Sequence, residues 1–164
     1  MITKTQIEAY SRKPRQRNRI SYLFRLAFPK EIKLMESVHQ LVHTVNSKHQ
    51  LCIELIHCGF ENETDLREQD RIAIYLIIKA QIKNILKRSG ATSATIHLAK
   101  NYNQVAIVIE DNGTAVDITK MKNNRALRTV QNLVKHHQGR YNVVFEPASG
   151  TVIEALLQVG EGAQ

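Results

Sequence analysis

Residues 71–92, RIAIYLIIKAQIKNILKRSGAT, decide the fold. Ile74, Ile78, Ile82 and Ile85 recur at steps of four, four and three. That spacing predicts one long helix with a buried stripe, closing on Ser89-Gly90. Ala80, Asn84, Lys87 and Arg88 follow the same spacing on a roughly opposite line. One face can therefore pack on a sheet while an amide and two cations point elsewhere.

Working outward, the upstream chain predicts two helices and a strand. Ile20, Leu23, Phe24 and Ala27 have helical spacing over residues 19–28, and Pro29 ends or bends that helix. A second helix runs from Glu31 to about Ser47 on the stripe Met35, Val38, Leu41, Val42 and Val45. Residues 50–57, QLCIELIH, alternate as a strand, with Leu51, Ile53 and Leu55 on one side and Cys52, Glu54 and Ile56 on the other. The acidic stretch 61–70 reads as a loop into the central helix, with Asp70 or Thr64 as its candidate cap.

Downstream the pattern turns to β. Residues 94–99 and 105–110 are strands joined by a tight turn at 100–103. Asp111-Asn112-Gly113 then breaks the second strand. Leu127, Val130, Leu133 and Val134 predict an amphipathic helix over 126–137, closed by Gly139. Residues 141–145 and 151–159 form a last β-pair. The predicted fold is α+β: a two-layer sandwich of a mixed, mostly antiparallel sheet with helices on one face.

The formal net charge is +8, unevenly spread. Residues 1–30 carry eight Lys or Arg against one acid, while residues 31–164 carry fifteen basic and fourteen acidic side chains. The basic arm has two readings, a solvated tether and a contact for nucleic acid or anionic lipid. The chain has no tryptophan and few aromatics, which leaves little for base stacking and counts against a nucleic-acid partner. Cys52 and Cys58 are the only cysteines and form no CxxC pair, so we read them as core or strand-end thiols in a reducing compartment. No apolar run is long enough to span a bilayer, no signal core opens the chain, and the expectation is a cytoplasmic domain. His39 with His43, and His136 with His137, are candidate metal pairs, but no further ligand accompanies them, and flanking a packed stripe accounts for them.

From about Arg19 to Val159 the series of segments resembles the region of sensor histidine kinases that follows the phosphoacceptor helix. Their ATP-binding domain belongs to the gyrase, chaperone, kinase and mismatch-repair ATPase superfamily, with the Bergerat-type sandwich. RISYLFRLAFPKEIKLMESVHQLV resembles the end of a dimerisation hairpin, a proline junction and the first ATPase-domain helix. IYLIIKAQIKNILKRSGATSATIHL resembles the asparagine-box helix and the next strand, and EDNGTAVD the first glycine box. NNRALRTVQNLVKHHQGRYNVVFEPASGTVIEALLQV resembles the second glycine box, its helix and the closing hairpin. The implied organisation is an arm and helix at 1–28, an ATPase domain at 29–160 and a tail at 161–164.

The resemblance implies ATP and Mg²⁺ as ligands. Asn84 matches the asparagine whose amide oxygen meets the magnesium ion. Lys87 and Arg88 match positions near the phosphates. Asp111 matches the aspartate that accepts from the adenine amino group, a role suited to an acceptor-only carboxylate. Gly113 matches a glycine that lets the base approach the backbone. Thr151, after Gly150, matches the Gly-Thr pair of the last strand. Ala115, Asn124, Ala126 and Leu127 occupy the glycine-box and lid positions. Taken alone, Asn84 reads as a surface amide, Asp-Asn-Gly as a turn, and Lys87 with Arg88 as a solvated helix end favoured by the dipole.

Several positions depart from the pattern. Ala80 stands where the family's general-base glutamate is expected, and alanine carries no proton acceptor. Gln81 lies about 100° around the helix and points elsewhere. Ala115, Asn124 and Ala126 replace glycines. No histidine sits in a phosphoacceptor context. The expectation is a histidine-kinase-like ATPase domain with weakened or lost phosphotransfer. Its alternatives are a pseudokinase-type interaction or dimerisation module without nucleotide, and a nucleic-acid-binding module using the arm. A homodimer or a response-regulator partner is implied by the same resemblance.

Overall fold

The computed structural model of the chain describes residues 33–114, 125–146 and 149–160. The predicted helix at 19–28 and the glycine-box positions Ala115 and Asn124 fall outside them, as do the side chains of Arg88 and Ala126. The described residues all fall in one compact unit.

The described elements are α1 (Leu34–Lys48), β1 (Cys52–Cys58), a 3₁₀ turn (Glu63–Asp65), α2 (Glu68–Arg88), β2 (Ser93–Asn101), β3 (Gln104–Asp111), α3 (Arg125–His136), β4 (Arg140–Glu146) and β5 (Gly150–Gln158). The five strands form one sheet in the order β1-β2-β3-β5-β4. Only β1 and β2 pair in parallel; β2–β3, β3–β5 and β4–β5 are antiparallel. The mixed, mostly antiparallel sheet is therefore as expected.

Alternation in the strands makes the two layers. Ile53, Ala94, Ile96, Leu98, Val105, Ile107, Ile109, Ile153, Ala155 and Leu157 are buried, while their neighbours on the other face are half or fully exposed. Register places these residues opposite one another, Ile96 beside Ile109 and Ile109 beside Ile153, so they share one face. The three helices cover that face. α1 buries Leu34, Met35, Val38, Val42 and Val45; Leu41 is only half-buried, at the edge of its stripe.

α2 is the centre of the helical layer. The stripe Ile74, Ile78, Ile82 and Ile85 is buried as predicted. Ile72, Ala73, Tyr75 and Ile77 are buried as well, and α2 touches α1, α3 and β3. Full burial of each such isoleucine contributes about 1.5–3 kcal/mol relative to exposure.

The start of α2 differs from expectation. The helix begins at Glu68 after Arg67, with no side-chain cap, and Thr64 lies in the 3₁₀ turn. Asp70 is instead inside the first turn and fully buried. Its carboxylate accepts from Arg67 Nε at 2.8 Å and Nη2 at 3.0 Å, and from the Gly160 N–H at 3.1 Å. His137 Nε2 lies 3.1 Å from the same carboxylate, and His137 Nδ1 lies 2.9 Å from the Leu133 carbonyl. One carboxylate thus ties the start of α2 to the end of α3 and to the residue after β5. Burial alone would raise the Asp70 carboxyl, but the contacts from His137, Arg67 and Gly160 outweigh it and hold the group below the ordinary carboxylate value.

The thiols follow the strand-end rather than the core reading. Cys52 and Cys58 sit at the two ends of β1, and both are exposed because their parity puts them on the outer face.

The clamp gives a pH signature. Because the folded Asp70 value is depressed, its stabilisation is complete above the unfolded value of about 3.9 and is lost as pH falls through the folded value. Asp70→Asn should cost about 3 kcal/mol at pH 7, the low end for a broken buried pair because Arg67 is partly in water. Denaturant titrations across pH 2–7 should show the wild-type acid limb flattened in D70N; equal slopes for the two proteins would contradict the clamp.

Candidate functional site

The site is built where α2 ends against the end of β3. Gly90, at φ +62°, turns the chain out of the helix. Ser89 just before it is buried. Its Oγ donates to the Ile85 carbonyl at 3.1 Å and accepts from the Ala91 N–H at 3.1 Å. Its carbonyl accepts from the Thr114 N–H at 2.8 Å and from Thr114 Oγ1 at 3.2 Å. A Cβ on Gly113 would run into the Ser89 side chain and carbonyl, so a glycine is needed there for close packing.

Asn112 completes the junction. Its Oδ1 accepts from the N–H groups of Thr92 and Ser93 at 2.9 and 3.0 Å, and its Nδ2 donates to Thr92 Oγ1 at 3.0 Å. Asp111-Asn112-Gly113 is therefore more than a turn: it joins the end of α2, the start of β2 and the end of β3.

Asp111 is buried within this junction, and its Oδ1 accepts from the Gly113 N–H at 2.9 Å. Burial raises its carboxyl above the usual value, partly opposed by the Gly113 N–H and the Ser89 hydroxyl. Thr151, also buried, is Asp111's register partner across β3–β5. Gly150, with φ +112°, precedes it, and a Cβ there would strike the Asp111 carbonyl and the Asn112 Cα. Asp111, Gly113, Gly150 and Thr151 are thus packed together at one end of the sheet.

The polar line of α2 leads to the same place. Lys87 is exposed, Asn84 half-buried, and Ala80, one turn earlier, half-buried. Gln81 is fully buried. Its Nε2 donates to the Tyr141 hydroxyl at 3.4 Å, and its Oε1 has no hydrogen-bond partner among the described residues. Burial, opposed by the Gln81 contact, pushes the Tyr141 hydroxyl up to about 12. Gln81 thus faces the interior, away from the line of Ala80, Asn84 and Lys87. Leu127 is buried at the start of α3.

The structure brings the sequence candidates Asp111, Gly113 and Thr151 together, and adds Ser89, which the sequence offered only as a helix terminus. The sequence offered only a short polar residue before a glycine there, and its burial appears only in the fold. Among the described residues no group of three His, Cys, Asp or Glu forms a metal cluster, and His39 meets His57 edge-on rather than His43. No described helix is long and apolar enough to cross a membrane. A cavity of about 520 Å³ lies on the outer sheet face beside Ala106, Val108, Arg140, Glu154 and Leu156, and contains none of the residues assigned to nucleotide. We give it no part in the site, because those residues belong to the face turned away from α2.

No family model matches the chain, and no curated protein matches its sequence. Solved structures do match. A histidine kinase domain of the blue-light activated kinase from Erythrobacter litoralis superposes with a TM-score of 0.62 at 16% identity, over 78% of this chain and 62% of that one. The fold is that of histidine kinase catalytic domains. The mycobacterial sensor histidine kinase MprB gives 0.58 at 16% identity, over 79% of this chain and 97% of that one. The nucleotide-free catalytic domain of the histidine kinase ThkA gives 0.59 at 17%, over 77% and 91%. This chain therefore spans less than two thirds of the Erythrobacter kinase domain but nearly all of the other two.

Two substitutions separate the packing of this junction from its chemistry. Gly150→Ala should destabilise the fold by at least about 1–3 kcal/mol, since both the left-handed backbone and the Asp111 carbonyl resist a Cβ. Asp111→Asn keeps an acceptor for the Gly113 N–H and removes a buried charge, so its stability at pH 7 should equal or exceed wild type. A D111N melting temperature well below that of wild type would contradict the raised carboxyl.

Proposed function

We propose that the chain is a histidine-kinase-like ATPase domain that keeps adenine-nucleotide recognition and has lost most of its phosphotransfer capacity. The observation that carries this reading is the meeting of Asp111, Gly113 and Thr151 at the end of the helix that presents Asn84 and Lys87. Asp111 supplies a buried acceptor suited to an exocyclic amino group, and Gly113 and Gly150 let Ser89 and the Asp111–Asn112 backbone pack closely around it. This donor set fits a purine nucleotide. Asn84 would hold the magnesium ion by its amide oxygen, and Lys87 would lie beside the phosphates, with Arg88 adjacent by sequence. Bound ATP would supply the phosphoryl group; the chain's own residues would bind and orient it.

Ala80 supports the loss of turnover. A positioned base contributes about 10²–10⁴ in rate, and neither Ala80 nor the buried Gln81 can act as one from the exposed line of α2. The same residue favours a second reading, in which the domain binds no nucleotide and works as an interaction module. The two readings share a partner class, a histidine-containing or response-regulator protein of two-component signalling.

Calorimetry with ADP or ATP and Mg²⁺ tests the first reading. We expect saturable heat at micromolar to millimolar nucleotide, reduced on the order of tenfold or more in D111N. We also expect ATP hydrolysis to rise in Ala80→Glu. No heat and no thermal shift at millimolar nucleotide would end the nucleotide reading and leave the interaction module.

A further inference from the structure

The two edges of the sheet are treated differently. β1 is one edge. There the Asn46 side chain, from α1, accepts from the Ile53 N–H at 2.7 Å and donates to the Ile53 carbonyl at 2.9 Å. An amide in this position satisfies the outward N–H and carbonyl of Ile53 as a neighbouring strand would, covering that part of the edge. β4 is the other edge. It pairs with β5 on one side, and among the described residues no strand or capping amide lies along the other. Its seven residues offer a row of backbone donors and acceptors, and Val144 is 39% exposed on the outer face.

The order of residues in β4 suits one occupant. The strand reads RYNVVFE from 140 to 146. Laid antiparallel on itself about Val143, it sets Arg140 opposite residue 146, a glutamate, and Tyr141 opposite Phe145. Asn142 then faces Val144, and Val143 meets itself. Both ends carry opposite charges, and the aromatic pairs fall on the same face, a combination that favours cross-strand pairing. β1, CIELIHC, has no such symmetry: the same operation sets Glu54 opposite Ile56 and pairs no charges.

We propose that β4 is a pairing edge for a second copy of this chain, joining two sheets through an isologous antiparallel β4–β4 contact. A two-fold axis through Val143 generates the contact twice, as closed dimers require. A single strand pair buries less than a standard interface, so the dimer should be weak and concentration-dependent. This inference does not depend on nucleotide binding.

The test uses the full chain. Hydrogen exchange followed over a concentration series, with sedimentation velocity in parallel, should show β4 amides slowing as the dimer forms. Arg140→Glu should weaken association on the order of tenfold, because it places like charges opposite each other twice. Arg140→Glu combined with Glu146→Arg should restore it, since the swap re-forms both pairs. The swap also keeps the composition, so recovery cannot be a general charge effect. A dimer whose β4 amides exchange as fast as in the monomer, or whose strength is unchanged by Arg140→Glu, would place the interface elsewhere and overturn the proposal. So would a chain that stays monomeric throughout, or one whose β4 amides slow only when an extended peptide is added.

Discussion

α2 is held at both ends by buried polar contacts that its apolar stripe cannot provide. At the start, Asp70 gathers Arg67, His137 and the Gly160 N–H around one carboxylate. At the end, the Ser89 carbonyl takes both donors of Thr114, and Gly113 packs against the same residue. Hydrophobic burial is non-directional and would allow the helix to slide or roll by a fraction of a turn. Polar anchors at each end remove that freedom. The register of α2 against β3 then sets where Asn84 and Lys87 stand relative to Asp111.

The division of labour along α2 follows from this. Its first half is surrounded, so isoleucine is tolerated on nearly every side. Its second half keeps one side open, where Ala80, Asn84 and Lys87 lie. The small side chain at Ala80 costs the helix nothing, since alanine is the best helix former. Chemistry, not stability, is what a carboxylate at that position would change. A domain can therefore lose its base and keep its fold, provided the anchors and the Asp111 junction are preserved.

Most of the architecture was legible because periodicity reports burial directly. The isoleucine stripe, the alternation of 50–57 and the β-pair at 94–110 all appear as read, with strand ends shifted by one or two residues by ladder pairing. Asp70 was misread as a cap because its partners, His137 and Gly160, are far along the chain, and local pattern says nothing of them. Of the two readings of the thiols, core or strand end, the second holds: parity puts Cys52 and Cys58 on the outer face at the ends of β1. Asn46 gave no signal at all, since an exposed helical asparagine and a strand-edge cap look the same in one dimension. Within the candidate site, only the order of segments pointed to Asp111, Gly113 and Thr151 as neighbours, and the part Ser89 plays in their packing required the fold.

The central claim is that Asp111 and its neighbours still recognise adenine although Ala80 has removed the base. Backbone amide NMR during titration with ADP and, separately, GDP, each with Mg²⁺, addresses it residue by residue. The account predicts saturating shifts at Asp111, Gly113, Thr151 and Asn84 with ADP, and much weaker ones with GDP, whose base presents an acceptor to the same carboxylate. Shifts confined to other residues, or equal responses to the two nucleotides, would contradict it.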